Sequence, residues 1–154
     1  MARVRGSIDI ERPVDEVFDV VADQTNEPLY NPSMTDSGRL DDGTIGVGTR
    51  FLATVLTRGK PQEVAIEVTA FERPTEIATQ SVMGRNTVLG RVRFDPAGSG
   101  TRLSWDWDVQ VGTGARVLGP LVSVIGRRQE RAIFGGLKHF LEDRAARPPR
   151  EGLA

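Results

Sequence analysis

The sequence predicts an α+β domain: an antiparallel sheet of about seven strands and one long C-terminal helix, with one or two short helices after the first strand. Three observations predict it. From residue 35 to 111 the apolar residues recur with a period of two, broken only at "DDGTIGVG", "RGKPQ", "ERPT", "MGRN" and "DPAGSG". Those breaks are of hairpin length, so the strands pair in sequence as a meander. Residues 14–21, and the stretch after Gly112, carry apolar residues at helical spacing instead.

The elements follow in order. "VRGSIDIE" sets Val4, Gly6, Ile8 and Ile10 against Arg5, Ser7, Asp9 and Glu11, a strand that ends before Pro13. Val14, Val17, Phe18 and Val21 then mark a helix of roughly ten residues. Pro13 suits its start, and Asp15 and Glu16 suit the positive end of its dipole. The two prolines of "QTNEPLYNPS" leave room for a short second helical turn at most. Within the meander, turns at the named breaks pair Val55 with Val64, Ala70 with Ile77, Ile66 with Ser81, Ser81 with Val88 and Phe94 with Leu103. The same register sets Val92 opposite Trp105 and Gly90 opposite Trp107, and on the other face it pairs Arg91 with Asp106.

The final helix spans "TGARVLGPLVSVIGRRQERAIFGGLKHFLEDRA" and starts irregularly near Gly119 and Pro120. Its later part has one apolar face, Ile133, Leu137, Phe140 and Leu141. In its earlier part Leu118, Leu121, Val122, Val124 and Ile125 nearly encircle the axis and need cover on more than one side. Gly126, Gly135 and Gly136 each cost a helix about 1 kcal/mol relative to alanine. Either backbone approaches closely at these glycines or space is being kept.

The length of 154 residues fits one domain, here residues 1–145, followed by a polar tail, 146–154, that reads as disordered. Twenty Lys and Arg against 21 Asp and Glu leave a formal charge of -1, without the basic excess of a nucleic-acid binder. The absence of cysteine removes thiolate catalysis, disulfides and thiolate metal sites. The one histidine, His139, beside Lys138 near the end of the long helix, reads as a surface residue, so no metal or cofactor is expected. No run approaches the roughly 18 apolar residues of a membrane span, and the charged N-terminus has no apolar signal core. The expectation is a cytoplasmic protein.

Local wording adds to this order of elements: "IERPVDEVFDVVAD" after the first strand, then "YNP", "GVGTRF", "FERPTEIATQS", "GTRLSW" and finally "LKHFLE". Over roughly residues 3 to 144 the chain resembles the polyketide cyclase/dehydrase group of the SRPBCC superfamily, which has the START-like helix-grip fold. The resemblance implies a sheet curved around the long helix, with a deep apolar cavity between them that holds lipids, sterols, polyketides or other hydrophobic molecules. Some members cyclise or dehydrate their ligand; many only bind or carry it.

In "GTRLSWDWDVQVG" Trp105 and Trp107 share the inward face, where they either pack a solid core or line that cavity. Thr79 and Ser81 fall on the same face, as hydroxyls among apolar neighbours. Tyr30 and Asn31 stand together in the short helical region, which the resemblance places at the border of the cavity, as either a surface cap or a pocket contact. Gln129 lies one turn beyond Ile125 on the long helix. The expected ligand-binding set is Tyr30, Phe51, Val55, Ile66, Thr79, Ser81, Met83, Val88, Gly90, Trp105, Trp107, Leu121, Val122, Ile125 and Gln129. No catalytic residue is assigned, because the inward strand positions hold no Asp, Glu, His, Lys or Arg. Asp106 and Asp108 read as a solvated outer face, and "RRQER" as a charged helix face. Three readings stand: a binding module for a small hydrophobic molecule; a cofactor-free cyclase, aromatase or dehydratase using Tyr30, Ser81 or Thr79; and an interaction protein or homodimer docking through Leu118–Ile125.

Overall fold

The computed structural model describes the backbone of residues 2–112 and 119–146, and the side chains of residues 3–112 and 128–144. Strand β1 (Ala2–Ile10) leads into helix α1 (Val14–Ala22) and a 3-10 helix (Gln24–Leu29). Six strands follow: β2 (Met34–Arg39), β3 (Arg50–Thr57), β4 (Lys60–Glu72), β5 (Glu76–Met83), β6 (Asn86–Ala97) and β7 (Gly100–Gln110). Helix α2 (Gly119–Ala146) comes last. All seven strands form one antiparallel sheet in the order β1-β7-β6-β5-β4-β3-β2. The chain thus meanders from β2 to β7, and β1 pairs along the free edge of β7, from Ala2 opposite Val109 to Ile10 opposite Thr101.

Local chemistry accounts for the elements. Helix α1 follows Pro13, has Asp15 and Glu16 in its first turn, and buries Val17, Phe18, Val20, Val21 and Ala22. Phe18 meets Phe71 and Phe94 edge-on, with ring centroids 5.3 and 5.1 Å apart. The 3-10 helix starts where the Asp23 carboxylate accepts the Thr25 backbone N–H at 3.1 Å, and it contains Pro28.

The β3–β4 hairpin turns on two residues, Arg58 and Gly59, with φ of 53° and 77°. Positive φ at both central positions suits the right-handed strand twist, and glycine adopts it without strain. This turn is tighter than the "RGKPQ" break suggested, so the strands slide by two residues: Val64 faces Ala53 and Val55 faces Gln62, not Val64. A bulge between Val68 and Ala70 likewise sets Ala70 opposite Ala78 and Phe71 opposite Ile77, correcting the Ala70–Ile77 pairing. The other expected registers hold, including Val92 with Trp105 and Gly90 with Trp107.

Arg91 does face Asp106 across the strands, but each charge is paired elsewhere. Arg91 binds Glu76 of β5, while Asp106 binds Arg3 and Arg5 of β1 at 2.7 and 3.3 Å. With β1 beside β7, two guanidinium groups compete for Asp106, and Arg3 holds its carboxyl below the usual carboxylate range.

The core lies between the inner face of the sheet, α1 and the second half of α2. Phe134, Leu137 and Leu141 of α2 are buried against Phe18, Phe51, Ile77, Phe94 and Leu103. Gly136 is one of the close approaches that the sequence anticipated: a Cβ there would overlap the Tyr30 carbonyl oxygen. At Gly135 nothing lies within 4 Å. The encircling apolar segment Leu118–Ile125, the glycine at 126 and the tail beyond 146 lie outside the residues whose side chains are described.

Candidate ligand-binding site

The inner face of the sheet is solid at one end and hollow at the other. Near α1, Phe51 on β3, Ile77 on β5, Phe94 on β6 and Leu103 on β7 are at most 2% exposed. Farther along the same strands the side chains surround a cavity of about 320 Å³. Val55, Ile66, Thr79, Ser81, Met83, Val88, Gly90 and Trp107 form its sheet wall. Gln129, Glu130, Ile133 and Phe134 of α2 form the opposite wall, and Gln24, Glu27, Tyr30 and Asn31 come in from the 3-10 helix and the residues just after it.

Ten of the fifteen expected site residues therefore meet at one cavity. Exposed Gln129 stands at its rim, and Tyr30 is buried, its ring 6.4 Å from that of Phe140. The strand period decides this: Val55, Thr79, Ser81, Val88 and Trp107 lie even-numbered steps from the solid core positions and so share their face. Gly90 lines the cavity and also gives room to the indole, since a Cβ there would lie 3.2 Å from the Trp107 ring.

Two expectations are corrected. Phe51 is wholly buried in the solid half. Trp105 does not line the cavity either: its ring stacks on Phe134, centroids 4.2 Å apart and 17° between planes, and lies against Gly6. Its free edge belongs to an outer groove between β1 and α2, lined also by Arg3, Arg5, Glu130 and Arg131. The two tryptophans of β7 thus divide the labour that the sequence left open, one packing the core and one walling the cavity. Leu121, Val122 and Ile125 lie outside the described side chains.

The sequence reading missed Glu27 and Glu130, while Asn31, which it had set beside Tyr30, does line the cavity. Glu27 and Asn31 are four residues apart, and the Asn31 amide donates to Glu27 Oε1 at 2.8 Å. Burial raises the Glu27 carboxyl against the lowering effect of that bond. Burial, reinforced by Glu27 and then Asp23, pushes the Tyr30 phenol well above its usual value. Glu130 was hidden in the charged run "RRQER". Its spacing could have revealed it, because it precedes Ile133, Phe134 and Leu137 by three, four and seven residues and so belongs to the buried stripe.

Glu130 is only 7% exposed. Its carboxyl accepts a hydrogen bond from the Trp105 indole, yet Oε2 has no partner among the described residues. Burial pushes it up to about 8, and Asp106 adds to the rise. The indole N–H of Trp107 is also buried without a partner among them. Among the described residues no Lys, Arg or His lines the cavity, no cluster of three or more His, Cys, Asp or Glu could hold a metal, and no helix is long and apolar enough to cross a membrane. The site offers an apolar body, a few neutral hydrogen-bonding groups and two carboxyls whose environment favours the protonated form.

Comparison with known proteins places this geometry. A START superfamily protein from Mycobacterium smegmatis is 18% identical, with a TM-score of 0.82 over 93% of this chain and 99% of that one. A protein from Thermus thermophilus, also 18% identical, gives 0.80 over the same shares. One from Deinococcus radiodurans, 23% identical, gives 0.63 over 93% of this chain and 97% of that one. These structures share the helix-grip fold: a curved seven-stranded antiparallel sheet, short helices after the first strand and a long C-terminal helix. No curated protein matches the sequence. The family model described as polyketide cyclase / dehydrase and lipid transport matches residues 1–142, and with the START-like fold around the cavity the chain belongs to that family, within the SRPBCC superfamily.

Proposed function

We propose that the protein binds one small hydrophobic molecule in the cavity between sheet and α2. The observation that carries this reading is the hollow itself. A packed core leaves few voids larger than a water molecule, whereas here about 320 Å³ is left among mainly apolar side chains. Ligand sites commonly have volumes of ~300–1,000 Å³, with a small number of polar groups to orient the ligand. A volume at the low end of that range favours a molecule of one or two rings, or a short chain, over a two-chain lipid. Thr79, Ser81, Tyr30 and the Trp107 indole supply orienting groups, and Trp107 also offers a stacking surface.

Native mass spectrometry of mildly purified protein, followed by extraction and identification of any adduct, tests the reading. The expected result is a stoichiometric hydrophobic adduct that Trp107→Ala loses while its circular dichroism stays native. An adduct that survives Trp107→Ala unchanged would move the site elsewhere.

A second reading, a cofactor-free cyclase or dehydratase, is favoured by one observation: titratable groups do face the cavity, namely Glu27, Tyr30 and Glu130. Proton transfer needs such groups within hydrogen-bond reach of the substrate. Turnover of a poly-β-ketone mimic to a cyclised product, lost in Tyr30→Phe, would support it.

A further inference from the structure

Two groups in the cavity wall, the Trp107 indole N–H and the Glu130 carboxyl, lack what buried polar groups normally have, and the carboxyl is the one that can carry charge. Buried carboxyls are found paired with a cation or fully hydrogen-bonded, because an isolated charge in an apolar surrounding is costly. Glu27 meets this rule in part through Asn31. Glu130, more than nine-tenths buried, has only the Trp105 indole on one side, and its Oε2 is unpartnered among the described residues.

We propose that the Glu130 carboxyl is the polar anchor of the cavity, donating a hydrogen bond to an acceptor oxygen of the ligand, so that the site selects uncharged oxygen-bearing molecules over carboxylates. This rests on the cavity being a ligand site and adds the residue and the charge class. Glu130 borders both hollows: the outer groove, which it shares with Arg3, Arg5 and Arg131, and the cavity, where no described cation faces it. Toward the cavity the ionisable groups are Glu27 and Tyr30, neither of which can neutralise an anion. On β1, Arg3 and Arg5 border the outer groove and are engaged by Asp106 of β7, whose charge itself disfavours a second anion nearby. Arg131, the next residue on α2, lines the outer groove and not the cavity. A carboxylate ligand would therefore enter facing two carboxyls and no cation among the described residues. A ketone or ester oxygen would give Glu130 the partner it lacks.

Burial keeps the group protonated near neutral pH, which leaves the O–H available to donate. Ammonium ligands could also meet an acidic wall, but an environment that suppresses the charge of Glu130 disfavours bringing in a second ion.

The test uses four naphthalenes of matched shape, 2-acetylnaphthalene, 2-ethylnaphthalene, 2-naphthoate and 2-naphthylmethylamine, in equilibrium dialysis against the full chain at pH 6.5 and pH 9.5. The ketone should bind about fivefold tighter than the ethyl compound at pH 6.5, the scale of one net hydrogen bond, and naphthoate weakest of all. At pH 9.5 the ketone's advantage should vanish in the wild type. In Glu130→Gln, whose amide still donates but does not titrate, it should persist at both pH values. In Glu130→Leu it should be absent at both. Because the wild-type pH comparison needs no variant, a misfolded substitution leaves the proposal testable. Equal binding of ketone and ethyl compound at pH 6.5, or tightest binding of naphthoate, overturns the anchor while leaving the cavity a ligand site. Tightest binding of the amine overturns it in favour of an ion-pair site. Failure of all four, the ethyl compound included, removes the ligand-site reading itself and the proposal with it.

Discussion

Glu130→Gln should make the protein more stable, and by an amount that grows with pH. In the folded protein the Glu130 carboxyl is raised from 4.5 to about 8, chiefly by burial. Between those two values the unfolded chain has released the proton and the folded chain still holds it, so the folded state binds more protons and stability falls as pH rises. The loss begins near 4.5, is complete just above 8, and is flat beyond. At ~1.4 kcal/mol per pH unit, the interval corresponds to roughly 5 kcal/mol, comparable with the whole stability of a marginal domain. Glu130 is only 7% exposed, but it also borders the open outer groove, where water screens part of the effect. Glutamine keeps the shape and does not titrate, so the difference between variant and wild type should widen by several kcal/mol from pH 5 to pH 9. Urea unfolding at intervals of one pH unit measures it, and every other titrating group is common to both proteins and cancels. Stability curves that stay parallel within about 1 kcal/mol would refute the idea that Glu130 is buried without a counter-charge.

Other substitutions probe the solid half and the surface. Phe18→Ala removes the ring that meets Phe71 and Phe94 at the fully buried centre, and should cost about 3–5 kcal/mol in urea unfolding. Gly136→Ala would gain ~1 kcal/mol of helix propensity in isolation. Here its Cβ meets the Tyr30 backbone oxygen, so thermal denaturation should show a net loss of about 1–3 kcal/mol, and a raised midpoint would disprove the close approach. Asp19→Asn breaks the bidentate pair with Arg73, whose side chains are about half exposed, and should change stability by under about 1 kcal/mol.

Much of this architecture was legible in the residues. Period-two alternation gives strand existence and face directly, because successive side chains point to opposite sides. Counting by twos is therefore enough to put Thr79, Ser81, Val88 and Trp107 on one surface, and the hairpin between β6 and β7 is enough to put Gly90 opposite Trp107. Register was legible only where the turn was unambiguous. Arg58 can adopt positive φ, so the β3–β4 turn closed on two residues and slid Val55 from Val64 to Gln62. The bulge after Val68 left no sequence signal beyond an ordinary alternation.

Taken alone, the sequence determined the element types, their order, the meander from β2 to β7 and the inward face of each strand, all of which depend on neighbours a few residues apart. Tertiary structure decided the rest, because it depends on which distant surfaces meet. The pairing of β1 with β7 sent Asp106 to Arg3 and Arg5 instead of Arg91. The placement of α1 and the second half of α2 filled one end of the sheet and left the other hollow, so Phe51 and Trp105 became core while Val55 and Trp107 became cavity wall. Glu130 shows why the site could not be read in full: its charge assigns it to solvent and its helical position assigns it to the core, and only the packing of α2 across Trp105 decides between the two.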